Sequence, residues 1–176
     1  MKSSQKWWDE TKASSEKVIN WLKNQYHGEA IASARIKEFI LPHMEGKYSF
    51  MVEKIADDEE RHAQWIGKLL LDRGVIPEIL QKEERYWQEV ITEDFTSSGN
   101  YAAAVVAAHA EEMRLERIKV IMVDETADSD IVNTFKNIYK DELFHAKAFK
   151  LIAGDNYYSK ASENHAKGLE ALGLIV

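Results

Sequence analysis

At 176 residues, with 45% hydrophobic and 30% charged side chains, the chain is long enough for one sizeable core and short for two. A net charge of −7 argues against a nucleic-acid-binding surface as its main business, and the absence of cysteine excludes disulfides, thiolate metal sites and thiol nucleophiles. No run approaches the ~18–20 apolar residues of a membrane span, and Met1–Glu10 lacks the apolar stretch of a signal peptide, so a cytoplasmic protein with no membrane partner is expected.

Two Pro and eight Gly leave room for long helices, and helical periodicity dominates with no alternating strand pattern. The first helix is expected at about 15–41, ending before Pro42, and the second at about 44–73, stopped by Gly74 and Pro77. After the loop "TSSGN" the third covers about 100–124, and the fourth about 129–154. A long segment, Gly74 to Gly99, joins the second to the third and holds a helical stretch of its own, Glu78 to Glu93. A short fifth helix, Lys160 to Leu172, closes the chain. Short turns make antiparallel neighbours, and a long link between two such pairs predicts an all-α, antiparallel four-helix bundle with one crossover between helices two and three. Residues 1–176 are read as a single domain.

The inward stripes of the four helices follow steps of three and four. They run Leu22, Tyr26, Glu29, Ser33, Ile36, Ile40; then Val52, Ile55, Glu59, His62, Ile66, Leu69; then Tyr101, Ala104, Ala108, Glu111, Leu115, Ile118, Met122; then Phe135, Ile138, Glu142, His145, Phe149, Ile152. Each stripe is mostly apolar and turns polar at its middle. Residues equidistant from the turn of an antiparallel hairpin share one level. Glu29 and Glu59 have their midpoint at position 44, inside "PHMEG", and that of Glu111 and Glu142 falls inside "DETADSD". Four carboxylates and two imidazoles should therefore meet at one level of the interior.

Four buried carboxylates without partners would repel one another and forfeit their hydration. Two divalent cations would offset the four charges, and carboxylates with one imidazole per metal suit iron, manganese or a mixed pair. Each Glu-x-x-His sets its two side chains one helical turn apart on the same face. The motif occurs twice, both times preceded by Asp, in "DDEERHAQW" (57–65) and "KDELFHAKAF" (140–149). A metal-bound imidazole usually donates its other N–H to a carboxylate, so a crossed support is expected, Asp58 to His145 and Asp141 to His62. Asp57, Glu60 and Arg61 read as solvated or helix-facing charges. The alternative is a set of buried ion pairs or an outward-rotated charged face. Glu112 rivals Glu111, although its stripe (Val105, His109, Glu112, Glu116, Lys119) is polar where the core should be. Tyr26, Tyr101 and Trp65 read as packing, the remaining histidines carry no assigned role, and Gly28 suggests close helix packing.

At these residues, over about 16–154, the chain resembles the ferritin-like superfamily of carboxylate-bridged diiron proteins, particularly its rubrerythrin-like and bacterioferritin-like branches. The resemblance implies Glu29 and Glu111 as terminal ligands, Glu59 and Glu142 as bridges, and His62 and His145 completing the two iron sites. It also fits an internal duplication, "GEAIASARI" (28–36) against "AEEMRLERI" (110–118). Rubrerythrins carry a further Glu three residues after the helix-three ligand, where this chain has Arg114. With no cysteine-rich rubredoxin domain, reducing electrons would come from an external electron donor. The activity implied is reduction of hydrogen peroxide or dioxygen, in a homodimer or larger homo-oligomer. Ferroxidation with iron storage, a small diiron substrate oxygenase, and a bundle without metal stay open as alternatives.

Overall fold

A computed structural model of the chain describes residues 3–81, 101–154 and 162–173. These residues form α1 (Ser4–Thr11), α2 (Ser15–Arg35), α3 (Lys47–Leu71), α4 (Tyr101–Met122), α5 (Ser129–Ala153) and α6 (Ser162–Ala171), and among them there is no strand. The fold is all-helical, a ferritin-like bundle in which α2 pairs with α3 and α4 with α5, while α3 packs across onto α5. Among the described residues no helix is long and apolar enough to cross a membrane.

The helix ends follow local chemistry. Ser14 caps α2 by accepting a hydrogen bond from the Lys17 N–H at 3.3 Å. Between α2 and α3 the chain passes through a π-helical turn, Ile36–Ile40, and a 3₁₀ turn, Leu41–His43, before Gly46 starts α3 with a φ of 54°. The first long helix thus leaves α geometry at Arg35, six residues before the expected end, and its continuation is wound more loosely and then more tightly. At the far end of α3, Arg73 reaches Asp128 at 2.9 Å and Asp130 at 2.8 Å, fixing the start of α5 beside it. Of the expected helical stretch Glu78–Glu93, residues 78–81 are not helical and the rest lies outside the described residues, as do the loop "TSSGN", the Tyr101 side chain and the first two residues of the expected helix at 160–172.

One element was not expected from the sequence. Helix α1, capped by Ser3, lays Trp8 into the bundle with no exposed surface. Its ring meets Trp21 edge-on with centroids 5.0 Å apart, and Trp21 stacks on Phe135. The Trp8 indole N–H donates to Asp124 Oδ2 at 2.7 Å, and Lys12 binds the same oxygen. Burial opposes ionisation of Asp124, but Lys12, Thr126 and Trp8 outweigh it and hold the carboxyl well below the usual range. A depressed carboxyl stabilises the fold above its unfolded value, ~3.9, and that contribution is lost as pH falls through the lower folded value. Asp124→Asn is therefore expected to lower the melting temperature near neutral pH and to weaken its acid dependence in melts run from neutral to strongly acidic buffer. Unchanged melting curves would show that Asp124 does not tie α1 down.

Two apolar clusters fill the bundle. One, at the α1 end, gathers Trp8, Trp21, Leu22, Ile66, Leu70, Ile118 and Phe135. The other, toward the turns from which α3 starts and at which α5 ends, gathers Ile36, Ile40, Val52, Ile55, Ala104, Ala108, Phe149 and Ile152. The polar residues of the stripes lie between these clusters along each helix. That placement desolvates them and sets the chemistry of the site.

Candidate metal centre

Glu29 comes from α2, Glu59 and His62 from α3, Glu111 from α4, and Glu142 and His145 from α5. Glu29, His62, Glu142 and His145 have no exposed surface and Glu59 only 2%. Their donor atoms form two groups, each gathered within 4.8 Å. One contains Glu29, Glu59, His62 and Glu142, the other Glu59, Glu111, Glu142 and His145. Glu59 and Glu142 belong to both. Glu112 points elsewhere, with its carboxylate 3.8 Å from Lys150 and its side chain 45% exposed.

The imidazoles have two distinct faces. His62 Nε2 lies 3.2 Å from Asp141 Oδ2, while its Nδ1 faces Glu29 at 3.5 Å and Glu142 at 3.7 Å. His145 repeats the arrangement, with Nε2 3.2 Å from Asp58 Oδ2 and Nδ1 facing Glu59 at 3.1 Å and Glu142 at 3.3 Å. The Asp–His contacts cross between hairpins, from α5 to α3 and back. Each Asp fixes which imidazole nitrogen points inward.

Electrostatics shows how crowded the centre is. Burial, and then the charge of Glu142, raise the carboxyls of Glu59 and Glu111 above their ordinary range. Burial works against Glu142 too, but Arg114, Glu111 and His145 outweigh it and hold that carboxyl low. Burial opposes the charge on His145, yet Asp58, Glu142 and Glu59 push its pKa up to about 12. Both carboxylate oxygens of Glu29 and of Glu142, and the inward Nδ1 of both histidines, are buried without a well-aligned hydrogen bond, the Oε1 of each Glu meeting only the Arg114 guanidinium as an ion pair. Such orphaned donors, all aimed at one space, fit a pair of hard or borderline cations.

Two arginines belong to the site that the sequence alone did not place there. Arg61, read as a solvated or helix-facing charge, pairs with Asp58 on its own helix and also reaches across to α5. Its Nη2 binds Asp58 at 2.7 Å and Asp141 at 2.9 Å, joining the two carboxylates that back the histidines. Its guanidinium also lies 5.3 Å above the ring of Trp65, which in turn faces the His62 ring at 5.6 Å. Arg114 enters the cluster itself, contacting Glu29 Oε1 through Nη2 and Glu142 Oε1 through Nε at 2.6 Å. The signal available in sequence was its position, three residues after Glu111 and so on the same helix face. Gly28 is a correction, since a Cβ there would meet nothing within 4 Å and close packing does not explain the glycine.

The family model for rubrerythrin matches residues 20–153, which take in α2 from Asn20, all of α3, α4 and α5, and every residue of the cluster. The chain belongs to the rubrerythrin family. That is a ferritin-like diiron family, and the carboxylate and histidine cluster could hold metal. No curated protein and no solved structure gives a comparable match.

Proposed function

We propose that residues 1–176 form one diiron domain, a non-haem oxidoreductase that reduces hydrogen peroxide or dioxygen with electrons from an external donor. Glu29 and His62 would hold one iron, Glu111 and His145 the other, with Glu59 and Glu142 bridging. The observation that supports this most is the pair of overlapping four-residue groups sharing Glu59 and Glu142. A set of carboxylates and imidazoles with no thiolate suits iron, and also manganese or a mixed pair. Four carboxylates balance two divalent ions, which a set of buried ion pairs among these residues would not do as completely.

When bound, two ferrous ions supply one electron each to the oxidant. The residues of the chain do the rest. Asp58 and Asp141 hold His145 and His62 with Nδ1 inward, and Arg61 holds the two Asp in turn. The apolar clusters on either side keep bulk water from the centre. Ala104, Ala107 and Ala108, small and buried on the helix that carries Glu111, favour a small oxidant over a bulky organic substrate. A cytoplasmic site of action and a homodimer accord with this reading.

Supporting carboxylates around metal-bound histidines are commonly worth ~10–100-fold in metal affinity. Asp141→Asn is expected to weaken the ion at His62 by that amount, and Asp58→Asn the ion at His145, each read by competition with a chromophoric chelator. Equal affinities in both variants and the parent chain would show the Asp residues to be merely structural.

The activity is tested by anaerobic loading with ferrous iron, then turnover with peroxide against dioxygen in the presence of an electron donor, with gel filtration of the same sample. Faster oxidation by peroxide in a dimer is expected. A large shell that accumulates ferric iron would replace this reading with ferroxidation and storage, and oxidation of an added organic molecule would replace it with an oxygenase.

A further inference from the structure

Arg114 approaches the centre from the His62 side. It contacts Glu29 Oε1, in the group with His62 alone, and Glu142 Oε1, the oxygen 3.7 Å from His62 Nδ1, whereas Oε2 of the shared Glu142 faces His145 Nδ1 at 3.3 Å. A guanidinium held against these oxygens offsets their charge and occupies the space that a cation would need. A guanidinium stays charged at any ordinary pH, so it cannot release the carboxylates by losing a proton and must move away. The Arg114 side chain is 21% exposed, and solvent is the direction left to it. The two halves of the centre are otherwise alike, each with one terminal Glu, one inward Nδ1 and one Asp behind the imidazole.

We propose that Arg114 is a built-in competitor for the metal at Glu29 and His62, so that this half binds a weak, exchangeable ion while the Glu111–His145 half binds a tight one. This rests on the dimetal reading above. The centre is then functionally asymmetric despite its near-symmetric ligands. One ion stays with the chain, and the other comes and goes as Arg114 swings between the carboxylates and solvent. In this role Arg114 is a positioning residue acting through Glu29 and Glu142.

The test is an anaerobic titration of the full chain with ferrous iron, and separately with cobalt(II), resolving two dissociation constants by chelator competition. In the parent chain they should differ by about tenfold or more. Arg114→Gln should tighten the weaker one by about tenfold and leave the tighter one nearly unchanged, and Arg114→Lys should keep them apart. Unchanged constants in Arg114→Gln, or a weaker second ion, would overturn the proposal and leave the dimetal reading standing. Two equal constants in the parent chain would do the same without any variant, should Arg114→Gln fail to fold. Binding of no metal at all would overturn both.

Discussion

Glu59→Ala is expected to take the purified, iron-reconstituted chain from about two metals per molecule to nearly none. Glu111→Ala, by contrast, should lose one. Glu59 belongs to both donor groups and Glu111 to a single group, so the difference between the two variants reads out bridging directly. Stability should move the other way. Burial and the charge of Glu142 raise the Glu59 carboxyl in the folded chain, so ionising it works against folding when no cation is supplied. Removing it relieves a buried like-charge contact, and the chelator-treated Glu59→Ala chain should melt no lower than the chelator-treated parent. If Glu59 instead served as the structural partner of His145, 3.1 Å away, the variant would melt lower and metal content would not change. Elemental analysis and a melting curve with chelator separate these outcomes.

The second large effect concerns α1. Trp8→Ala removes a fully buried indole, its edge-on contact with Trp21 and its hydrogen bond to Asp124. Large-to-small substitutions of buried aromatic residues cost about 3–5 kcal/mol. For a domain of this size that corresponds to a fall in melting temperature of roughly 6–20 °C. The site lies on the other side of this cluster's aliphatic residues, so metal content should be retained at low temperature. A melting temperature within about 2 °C of the parent would mean that α1 is not docked in solution.

These expectations draw unequally on the sequence. The four long helices were legible because their apolar stripes repeat at helical spacing, and the level of the cluster was legible because hairpin geometry ties residue numbers to height. The crossed contacts of Asp58 and Asp141 with the histidines also follow from spacing, since each Asp precedes a Glu-x-x-His on its own helix and meets the His of the facing hairpin. Helix α1 was not legible. Only eight residues long, it carries little periodicity, and its stability comes from two tryptophans that touch residues far along the chain. The π-helical turn at Ile36–Ile40 was hidden for a related reason. Side-chain spacing there still places Ile36 and Ile40 inward, and only the backbone bonding differs.

The arginines were missed through charge logic. A cation beside carboxylates on a helix surface is ordinary, and spacing does not say whether a long flexible side chain turns outward or reaches inward. Arg61 reaches across to α5 to join two Asp residues 83 positions apart, a contact that exists only once the hairpins are packed. Arg114 reads in sequence as the loss of a carboxylate. In the fold it is the gain of a counter-charge on Glu29 and Glu142.

Anomalous diffraction from a crystal of the iron-loaded chain would locate the two metal ions proposed for the six side chains. Two iron positions roughly 3.5–4 Å apart are expected, both touched by Glu59 and Glu142, one by Glu29 and His62, the other by Glu111 and His145. A single ion, or iron bound only at carboxylates outside this cluster, would contradict that proposal.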